Sequence, residues 1–454
     1  MEPSLRRSSR RRVGWRAVAE PEPATLVFPA GFLWGAATAA YQVEGGITAN
    51  NWAQWEVDRD VAPERRCGRA VEHWQRFDED LELMRWLGLS AYRFSVEWSR
   101  VEPLPGWFDP EPMRRYRRWC ERLREAGIAP LVTLHHFSEP VWLTERGGFE
   151  EHAAVAAFVR FAEHVAAGLG DLVEVWITVN EPVGYAVQGW WRGVWPPGRT
   201  EPATAVRVLA NLLLAHAGAY RALHRGPRAA ERRVGLAHNI VEMRPGRRLN
   251  PADRFAARLL DAAYNGAALE ALATGRLRLQ LPGLRHIVAL PELVGTQDYL
   301  GVNHYHPLDV RLRPTRPERI EAGFGDDGDH SDLGWPLDPC SLTRTLRRLA
   351  RFGLPMLVLE HGVCDGDADD LRRRRFLGHS LAALRAAVDG GLDVRGYVHW
   401  SLLDNYEWTL GHTRFGLFRV DQGTLSRSPT SSARYYRRIL ATQPAAGLGF
   451  AGVR

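Results

Sequence analysis

The chain contains no lysine, so all 59 basic residues among its 454 are arginine. This absence excludes every mechanism that needs a lysine Schiff base or the lysine of a phosphate-binding loop. Cysteine is also scarce, because only four are present and no two of them form a CxxC pair. No apolar run approaches the roughly 20 residues of a membrane-spanning helix. A chain of this length can bury a large core without disulfides, so we expect a reducing, cytoplasmic setting.

A basic segment opens the chain: its first 22 residues carry six arginines and three glutamates. Such a segment can bind nucleic acid or an anionic surface, or direct export, but a simple tail is also consistent with it. A twin-arginine export signal would need an apolar stretch after the arginines, and Glu20 and Glu22 interrupt that stretch. We therefore predict a disordered tail over 1–24, a globular domain over 25–445 and a second tail over 446–454. We expect neither a nucleic-acid nor a membrane partner.

The whole chain is 45% hydrophobic and 25% charged, which is typical of a globular protein. Eight short apolar runs recur along its globular part. They begin at Phe32, Ala91, Ala129, Glu174, Arg233, Asp298, Pro355 and Val394. Each run is continuously apolar instead of alternating with polar residues. This pattern indicates strands that are buried on both faces, as in a parallel sheet covered by helices.

Amphipathic segments with helical periodicity lie between the runs. They span 72–87, 111–126, 151–168, 204–224, 252–272, 370–388 and 429–440. Strands that alternate with helices in this way predict an α/β fold, a single-domain (β/α)₈ TIM barrel with long βα loops. A doubly wound open sheet is the alternative, but no GxGxxG motif follows the first run.

Polar and aromatic residues end these runs, and in such a barrel the strands end at the active site. The terminal residues are Arg93, Ser95, His135, His136, Asn180, Glu181, Asn239, Asn303, Tyr305, Glu360 and Trp400. Glu181 and Glu360 close runs four and seven. One buried carboxylate there could be structural and paired with an arginine. Two at one barrel mouth indicate function, because desolvating both costs several kcal/mol.

Paired carboxylates are what cleavage of a glycosidic bond requires. One must hold a proton for the departing oxygen, and the other must stay ionised to attack the anomeric carbon. Arg93 ends run two on the same face, and an adjacent guanidinium favours the ionised form of Glu360. Asn180 precedes Glu181 and could donate to the 2-hydroxyl of a sugar.

A second group of candidate residues lies in the segment WSLLDNYEW, which contains Trp400, Glu407 and Trp408. A tryptophan face can pack on the apolar face of a pyranose, while a carboxylate accepts hydrogen bonds from two hydroxyls. The alternative is a core tryptophan followed by a surface Glu-Trp pair. Three further tryptophans, at 190, 191 and 195, either line an acceptor site or pack at its rim.

Eight motifs in a fixed order resemble those of glycoside hydrolase family 1, the β-glucosidase family. They are FLWGAATAAYQVEGG, YRFSVEWSR, TLHHFSEPVWL, WITVNEP, GVNHY, EHG, WSLLDNYEW and RFGLFRVD. The resemblance extends from about residue 28 to about residue 440 and independently implies the (β/α)₈ fold. Two departures stand out: His361 replaces the asparagine usual after the nucleophile, and HHFS replaces the usual YHWD.

The resemblance also implies roles for individual residues. Glu181 is the acid/base and Glu360 the nucleophile, with Arg93 beside it, Tyr305 bonded to it and Asn303 supporting that group. Sugar binding is assigned to Gln42, His136, Asn180, Glu407 and Trp408, with Trp400 as the platform. His135 and His136 point to opposite faces of a strand, so they cannot share an ion. We expect no metal and no cofactor.

These observations predict a retaining β-glycosidase, β-glucosidase-like, that hydrolyses terminal β-D-glycosides through a covalent glycosyl-enzyme intermediate. A transglycosylase on the same scaffold shares that intermediate and stays open. A 6-phospho-β-glycosidase is disfavoured, because the chain has no lysine and Glu407 would repel a phosphate. A catalytically silent carbohydrate-binding barrel is disfavoured by the presence of both glutamates. The preferred sugar, the aglycone and the oligomeric state are left open.

Overall fold

The computed structural model describes residues 19–315, 319–325 and 328–444. The predicted C-terminal tail, 446–454, and most of the predicted N-terminal tail lie outside the described residues. At the described end of that N-terminal segment, the Glu20 carboxylate pairs with Arg374 at 2.9 Å. The carbonyl oxygen of Pro21 accepts a hydrogen bond of 2.6 Å from the Tyr435 hydroxyl.

Eight strands form a closed barrel in which every neighbouring pair is parallel. In chain order, β1 to β8 are Leu33–Ala37, Ala91–Ser95, Ala129–His135, Val175–Asn180, Arg233–Asn239, Leu300–Asn303, Met356–Glu360 and Val394–Trp400. Each strand pairs with the next one along the chain, and β8 closes the barrel on β1. The predicted (β/α)₈ fold and all eight predicted strands are confirmed.

Strand β4 explains why the apolar runs are continuous. Val175 and Ile177 belong to an apolar cluster that includes inward-facing residues of several barrel strands. Trp176 and Val179 belong to the large core between the barrel and its helices. All four are buried. Successive side chains of a strand point to opposite faces, so a barrel covered by helices requires apolar residues at nearly every position.

Helices surround the barrel. Those of eight residues or more lie at Asn51–Asp58, His73–Leu87, Pro110–Glu125, Ala153–Leu169, Pro202–Leu223, Pro251–Asp261, Ala267–Thr274, Ser341–Leu349, Leu371–Asp389 and Ser431–Leu440. Side chains of Asp109, Asn250 and Thr430 cap three of the helix starts. Among the described residues, no helix is both long and apolar enough to cross a membrane.

Some elements differ from the predicted pattern. The predicted helix over 252–272 is interrupted by a π-helical turn, Ala262–Gly266. The helix Ser341–Leu349 was not predicted, because it is short and follows a loop rich in polar residues. The strand Ile320–Gly323, which pairs in antiparallel register with Pro307–Leu312, was not predicted either.

A β-hairpin outside the barrel was also not predicted. Its strands, Arg276–Leu281 and Leu284–Ala289, pair in antiparallel register. Exposed Arg276 and Arg278 alternate with buried Leu277 and Leu279. That alternation is the sequence signal of a strand with one buried face, and it could have identified the hairpin.

Candidate active site

The barrel gathers the predicted site residues at one end. Arg93, Asn180, Asn303, Glu360 and Trp400 lie in or at the ends of β2, β4, β6, β7 and β8. Glu181 follows β4 directly. Parallel strands of a closed barrel end on the same side, so residues far apart in sequence come within hydrogen-bond distance.

Glu360 is held by a cation and a hydroxyl. Its Oε1 atom accepts a 2.6 Å hydrogen bond from Nη1 of Arg93, and its Oε2 atom accepts one of 2.6 Å from the Tyr305 hydroxyl. Burial, followed by the charge of Glu360, raises the pKa of Tyr305 well above its usual value. Tyr305 therefore stays protonated and donates a hydrogen bond to the carboxylate. The two short hydrogen bonds fix the positions of both carboxylate oxygens of Glu360.

Arg93 joins three strands at the barrel mouth. It is 1% exposed, and besides Glu360 its guanidinium donates to Oδ1 of Asn180 at 2.7 Å and to Oγ1 of Thr133 at 3.1 Å. A further hydrogen bond of 3.2 Å reaches the carbonyl oxygen of Leu359. Because its donors are satisfied in a fixed geometry, Arg93 orients both Glu360 and Asn180.

Glu181 is held by amide groups. Asn303 donates to Oε1 at 2.8 Å, and Asn239 donates to Oε2 at 3.0 Å. Burial, and then the negative charge of Glu360, raise the pKa of Glu181 to about 7. The two amide hydrogen bonds act in the opposite direction, since they favour the ionised form. Glu181 is therefore positioned to hold a proton near neutral pH.

A chain of hydrogen bonds links the two carboxylates. Nδ2 of Asn303 donates both to Glu181 and, at 3.1 Å, to Oδ1 of Asn180, which also accepts from Arg93. Asn239 also donates to Glu181. From the sequence, this residue was predicted only to end a strand. Its position at the end of β5, next to β4, is the signal that could have assigned it.

Glu407 and Gln42 form a second polar group. Nε2 of Gln42 donates to Oε2 of Glu407 at 3.1 Å and to the carbonyl oxygen of Tyr406 at 2.7 Å. Burial, and then the charge of Glu360, raise the pKa of Glu407 to about 8. The dependence on Glu360 places Glu407 within electrostatic range of the carboxylate pair. The hydrogen bond from Gln42 acts in the opposite direction, since it favours the ionised form.

Buried polar atoms that have no hydrogen-bond partner among the described residues include four at this end of the barrel: Oε1 of Gln42, Nδ1 of His136, Oδ1 of Asn303 and Nε1 of Trp400. Burial, and then the charge of Arg93, lower the pKa of His136 well below its usual value, so the ring is neutral. Its Nε2 atom lies 3.2 Å from Nδ2 of Asn180. Unsatisfied buried polar atoms are rare, and a ligand rich in hydroxyls would supply the missing partners.

Aromatic rings are stacked beside these atoms. His136 lies nearly parallel to both Trp400 and Trp408, with ring centroids 5.9 and 6.1 Å apart and interplanar angles of 16° and 18°. Trp408 is 4% exposed and also packs on Trp52. Glu407 and Trp408 are therefore not the surface pair of the alternative interpretation.

The two adjacent histidines point apart, as predicted. His135 faces Glu139 at 3.4 Å, while His136 faces Asn180. Within the described part of the chain, no group of three or more His, Cys, Asp or Glu residues could hold a metal ion.

His361 faces away from the bonded carboxylate of its neighbour. Its Nδ1 atom lies 2.9 Å from the Tyr397 hydroxyl, and its ring stacks on Phe376 with centroids 5.1 Å apart. Burial, and then the positive potential of neighbouring histidines, lower the pKa of His361 well below its usual value. The ring is therefore neutral, and it packs against Tyr397 and Phe376 instead of the side chains that bond to Glu360.

The three tryptophans after β4 have different surroundings. Trp190 is buried and donates to Glu150 at 2.7 Å, so it packs in the core. Trp195 contacts Phe137 and Trp408, which places it beside the stacked rings of the site. Trp191 lines a separate apolar cavity.

Comparison with known proteins identifies the family of the chain. The family model described as Glycosyl hydrolase family 1 matches residues 24–444. The chain belongs to glycosyl hydrolase family 1. Its enzymatic class is therefore that of a β-glycosidase, and the predicted family is confirmed.

Individual members of family 1 align over nearly their full lengths. Thermostable beta-glucosidase B of Thermobispora bispora is 34% identical, with 93% of each chain covered. The bifunctional beta-D-glucosidase/beta-D-fucosidase of Bifidobacterium breve is 32% identical, with 93% of this chain and 100% of that protein covered. The solved structure of a beta-glycosidase from Pyrococcus horikoshii is 36% identical, with a TM-score of 0.85 over 92% of this chain and 95% of that one.

Proposed function

We propose that this family 1 enzyme is a retaining β-glucosidase in which Glu360 is the nucleophile and Glu181 the acid/base. The observation that carries the proposal is the difference between the two carboxylates. Glu360 accepts hydrogen bonds from a guanidinium and a phenol, whereas Glu181 has amide donors and a pKa of about 7. The donors to Glu360 suit an attacking carboxylate, and the raised pKa of Glu181 suits a proton donor near neutral pH, as glycosidic bond cleavage requires.

In the first step, Glu360 attacks the anomeric carbon and the bond from that carbon to the leaving oxygen breaks. Glu181 transfers its proton to the departing oxygen, so the aglycone leaves as a neutral alcohol. The product is a glycosyl ester on Glu360 and an ionised Glu181. Arg93 and Tyr305, which donate to the two oxygens of Glu360, orient the attacking carboxylate.

In the second step, Glu181 takes a proton from a water molecule, which attacks the anomeric carbon. The ester bond breaks and Glu360 leaves as a carboxylate, again accepting from Arg93 and Tyr305. Once the aglycone has departed, its former place beside Glu181 admits the water. Each displacement inverts the anomeric carbon, so the two together retain its configuration.

We expect the sugar to lie against Gln42, His136, Asn180, Glu407 and Trp400, several of which have a polar atom without a hydrogen-bond partner. Gln42 and His136 supply the unpartnered Oε1 and Nδ1 atoms, and Asn180 faces the 2-hydroxyl. Glu407 accepts from the 4- and 6-hydroxyls, and Trp400 provides the apolar platform. Glu407, bonded to Gln42, can hydrogen-bond to hydroxyl groups in either ionisation state, and it offers no positive charge to a phosphate dianion.

The configuration of the first-formed product tests the mechanism. With an aryl β-D-glucoside, proton NMR of the earliest product, before mutarotation, should show β-glucose. Early appearance of α-glucose would overturn the double displacement and with it the role of Glu360 as nucleophile.

A panel of aryl β-glycosides tests the substrate class. We expect the highest kcat/KM with glucoside or fucoside, and a far lower value with glucoside 6-phosphate. The name of the relative from Bifidobacterium breve covers both glucoside and fucoside, so these sugars are the first to compare. A higher kcat/KM for the phosphorylated substrate would overturn the role of Glu407, and product made chiefly by transfer to a second sugar would indicate a transglycosylase.

We also propose a cytoplasmic location. Support comes from the four cysteines, all free thiols, of which Cys67, Cys120 and Cys364 are buried. Cell fractionation tests this, and recovery of the protein outside the cytoplasm would contradict it.

A further inference from the structure

Two turns of the site have an unusual backbone conformation in common. Phe137, which follows His136 in the turn after β3, has a φ of 67°, and Glu181 in the turn after β4 has a φ of 45°. Residues other than glycine rarely adopt this left-handed conformation, and they keep it only where surrounding contacts hold them there. The contacts that hold the turn after β3 are therefore part of how His136 is placed.

Asn51, a buried residue at the start of a helix, holds this turn at two points. Its Nδ2 atom donates to the carbonyl oxygen of Phe137 at 3.1 Å, and its Oδ1 atom accepts from the backbone amide of Glu139 at 2.9 Å. The backbone amide of Asn51 donates in return to the carbonyl oxygen of Glu139 at 2.9 Å. One residue thus fixes the backbone on both sides of Ser138.

Tyr185 connects the same turn to the acid/base. It lies in the helix Pro182–Ala186, and its backbone amide donates to the carbonyl oxygen of Glu181 at 2.9 Å. Its hydroxyl donates to Oε1 of Glu139 at 2.6 Å and accepts from Nδ2 of Asn51 at 3.3 Å. Burial, and then the charge of Glu139, raise the pKa of Tyr185 well above its usual value, so the hydroxyl keeps the proton that it donates.

The ring of Tyr185 packs on the turn as well. It is stacked on Phe137, with centroids 5.8 Å apart and an interplanar angle of 14°. It meets the ring of His135 at 69°, with centroids 5.3 Å apart. His135 begins the segment HHFS, which departs from the usual YHWD, and its Nε2 atom lies 3.4 Å from Oε1 of Glu139. The hydroxyl and the ring of Tyr185 therefore both contact the segment that carries His136.

We propose that Tyr185 and Glu139 are positioning residues, whose hydrogen bond places His136 against one hydroxyl of the sugar. Both are 1% exposed, so water cannot replace the hydrogen bond when one partner is removed. Nδ1 of His136 has no partner among the described residues, so its position depends on the turn that carries it. The inference rests on the proposed function, because it requires a sugar in the site.

The test measures what each sugar hydroxyl contributes to kcat/KM. The substrates are one aryl β-D-glucoside and its 2-, 3-, 4- and 6-deoxy analogues, and the penalty for a hydroxyl is the kcat/KM of the parent divided by that of the analogue. His136→Ala identifies the hydroxyl that His136 meets, because that penalty should fall the most. A wild-type protein that hydrolyses no aryl β-glycoside would overturn the proposed function itself.

Tyr185→Phe removes the hydroxyl and keeps the ring that stacks on Phe137. The penalty for the hydroxyl that His136 meets should fall about fivefold, while the other three stay within about twofold of the wild-type values. Glu139→Leu removes the acceptor and should give the same pattern. Glu139→Gln keeps an oxygen that accepts from Tyr185, so its penalties should stay close to wild type. The double variant Tyr185→Phe/Glu139→Leu should fall no further than either single variant, because both remove one hydrogen bond.

Tyr220→Phe is the matched control. The Tyr220 hydroxyl donates to Asp298 at 2.8 Å, and Nε2 of His224 lies 3.1 Å from the same carboxylate, so the three residue types are combined as they are around Tyr185. Asp298 precedes β6 and accepts from the backbone amide of Val234 near the start of β5, at the opposite end of the barrel from the site. Tyr220→Phe should keep all four penalties at their wild-type values.

A merely structural role would change kcat/KM by one factor for all the substrates and leave the penalties unchanged. That result in folded Tyr185→Phe would overturn the inference, and so would the same shift of penalties in Tyr220→Phe. Loss of the penalty in Glu139→Gln as complete as in Glu139→Leu would also overturn it, because the hydrogen bond from Tyr185 would then not be the cause. Thermal melting identifies the folded variants, and Glu139→Leu decides by the same readout if Tyr185→Phe does not fold.

Discussion

Glu360 ends β7 and Glu181 follows β4, so both lie at the same end of the barrel. Different donors nevertheless bond to them. Glu360 accepts from Arg93, a buried cation, and from the Tyr305 hydroxyl. Glu181 accepts from Asn303 and Asn239, which carry no charge. Both side chains are buried, so the difference in charge around them, and not in exposure, separates their behaviour.

The comparison teaches that two buried carboxyl groups of one site can differ in the charge of the side chains that bond to them. Burial, and then the charge of Glu360, raise the pKa of Glu181 to about 7, although the charge of Arg93 acts in the opposite direction. Glu407, a third buried carboxylate, responds in the same way, with a pKa of about 8. For Glu181 and Glu407, the hydrogen bonds from neighbouring amides do not offset the cost of burying a negative charge.

The largest expected effect is loss of the charged member of the pair. Glu360→Gln should lower kcat/KM by about 10⁴- to 10⁶-fold for every leaving group, because no other group can form the glycosyl ester. Steady-state kinetics with a series of aryl glucosides checks this. Activity that recovers with better leaving groups would mean that Glu360 is not the nucleophile.

Loss of the proton-holding member should depend on the substrate. Glu181→Gln should reduce the rate of glycosylation about 10²- to 10⁴-fold for phenyl glucoside, whose leaving group needs a proton. Dinitrophenyl glucoside needs little protonation and should be spared in a pre-steady-state burst. Equal losses for both substrates would remove the distinction between the two carboxylates.

The pH profile should follow the proton on Glu181. We expect kcat/KM to fall about tenfold per pH unit above pH 7, where that proton is lost. Asn239→Ala removes a donor that favours the ionised form, so the alkaline limb should move up by about one pH unit. Glu44→Gln is the control: burial also raises the pKa of Glu44 to about 7, but its partners are Arg100 and Tyr116. A limb that moves in Glu44→Gln and not in Asn239→Ala would assign it to another group.

The smallest effect concerns stability. In the unfolded chain Glu181 loses its proton near pH 4.5, whereas in the folded protein it keeps the proton up to about pH 7. Stability is therefore lost as pH rises from 4.5 to 7, and Glu181→Gln should avoid the loss. At pH 7.5 the variant should be more stable by about 3 kcal/mol, with no difference at pH 4. Chemical denaturation at both pH values checks this, and a variant less stable at pH 7.5 would contradict the account.

Much of this protein is determined locally by its sequence. Each barrel strand is a continuous apolar run, because burial on both faces demands it, and each run ends in the residue that reaches the barrel mouth. Glu181 and Glu360 could be selected on that basis alone. The hairpin and the helix Ser341–Leu349 were missed because their patterns are short, alternating or rich in arginine.

Tertiary structure decided what the local pattern cannot contain. The second donor to Glu181, from Asn239, exists because β5 pairs with β4 in a particular register. The direction of the His361 ring follows from Tyr397 and Phe376, which lie on other elements. The apolar cavity arises where segments separated by up to about a hundred residues meet. Hydrophobic periodicity specifies which face of an element is buried, but not which partner covers it, so charge compensation and cavity shape appear only in the folded chain.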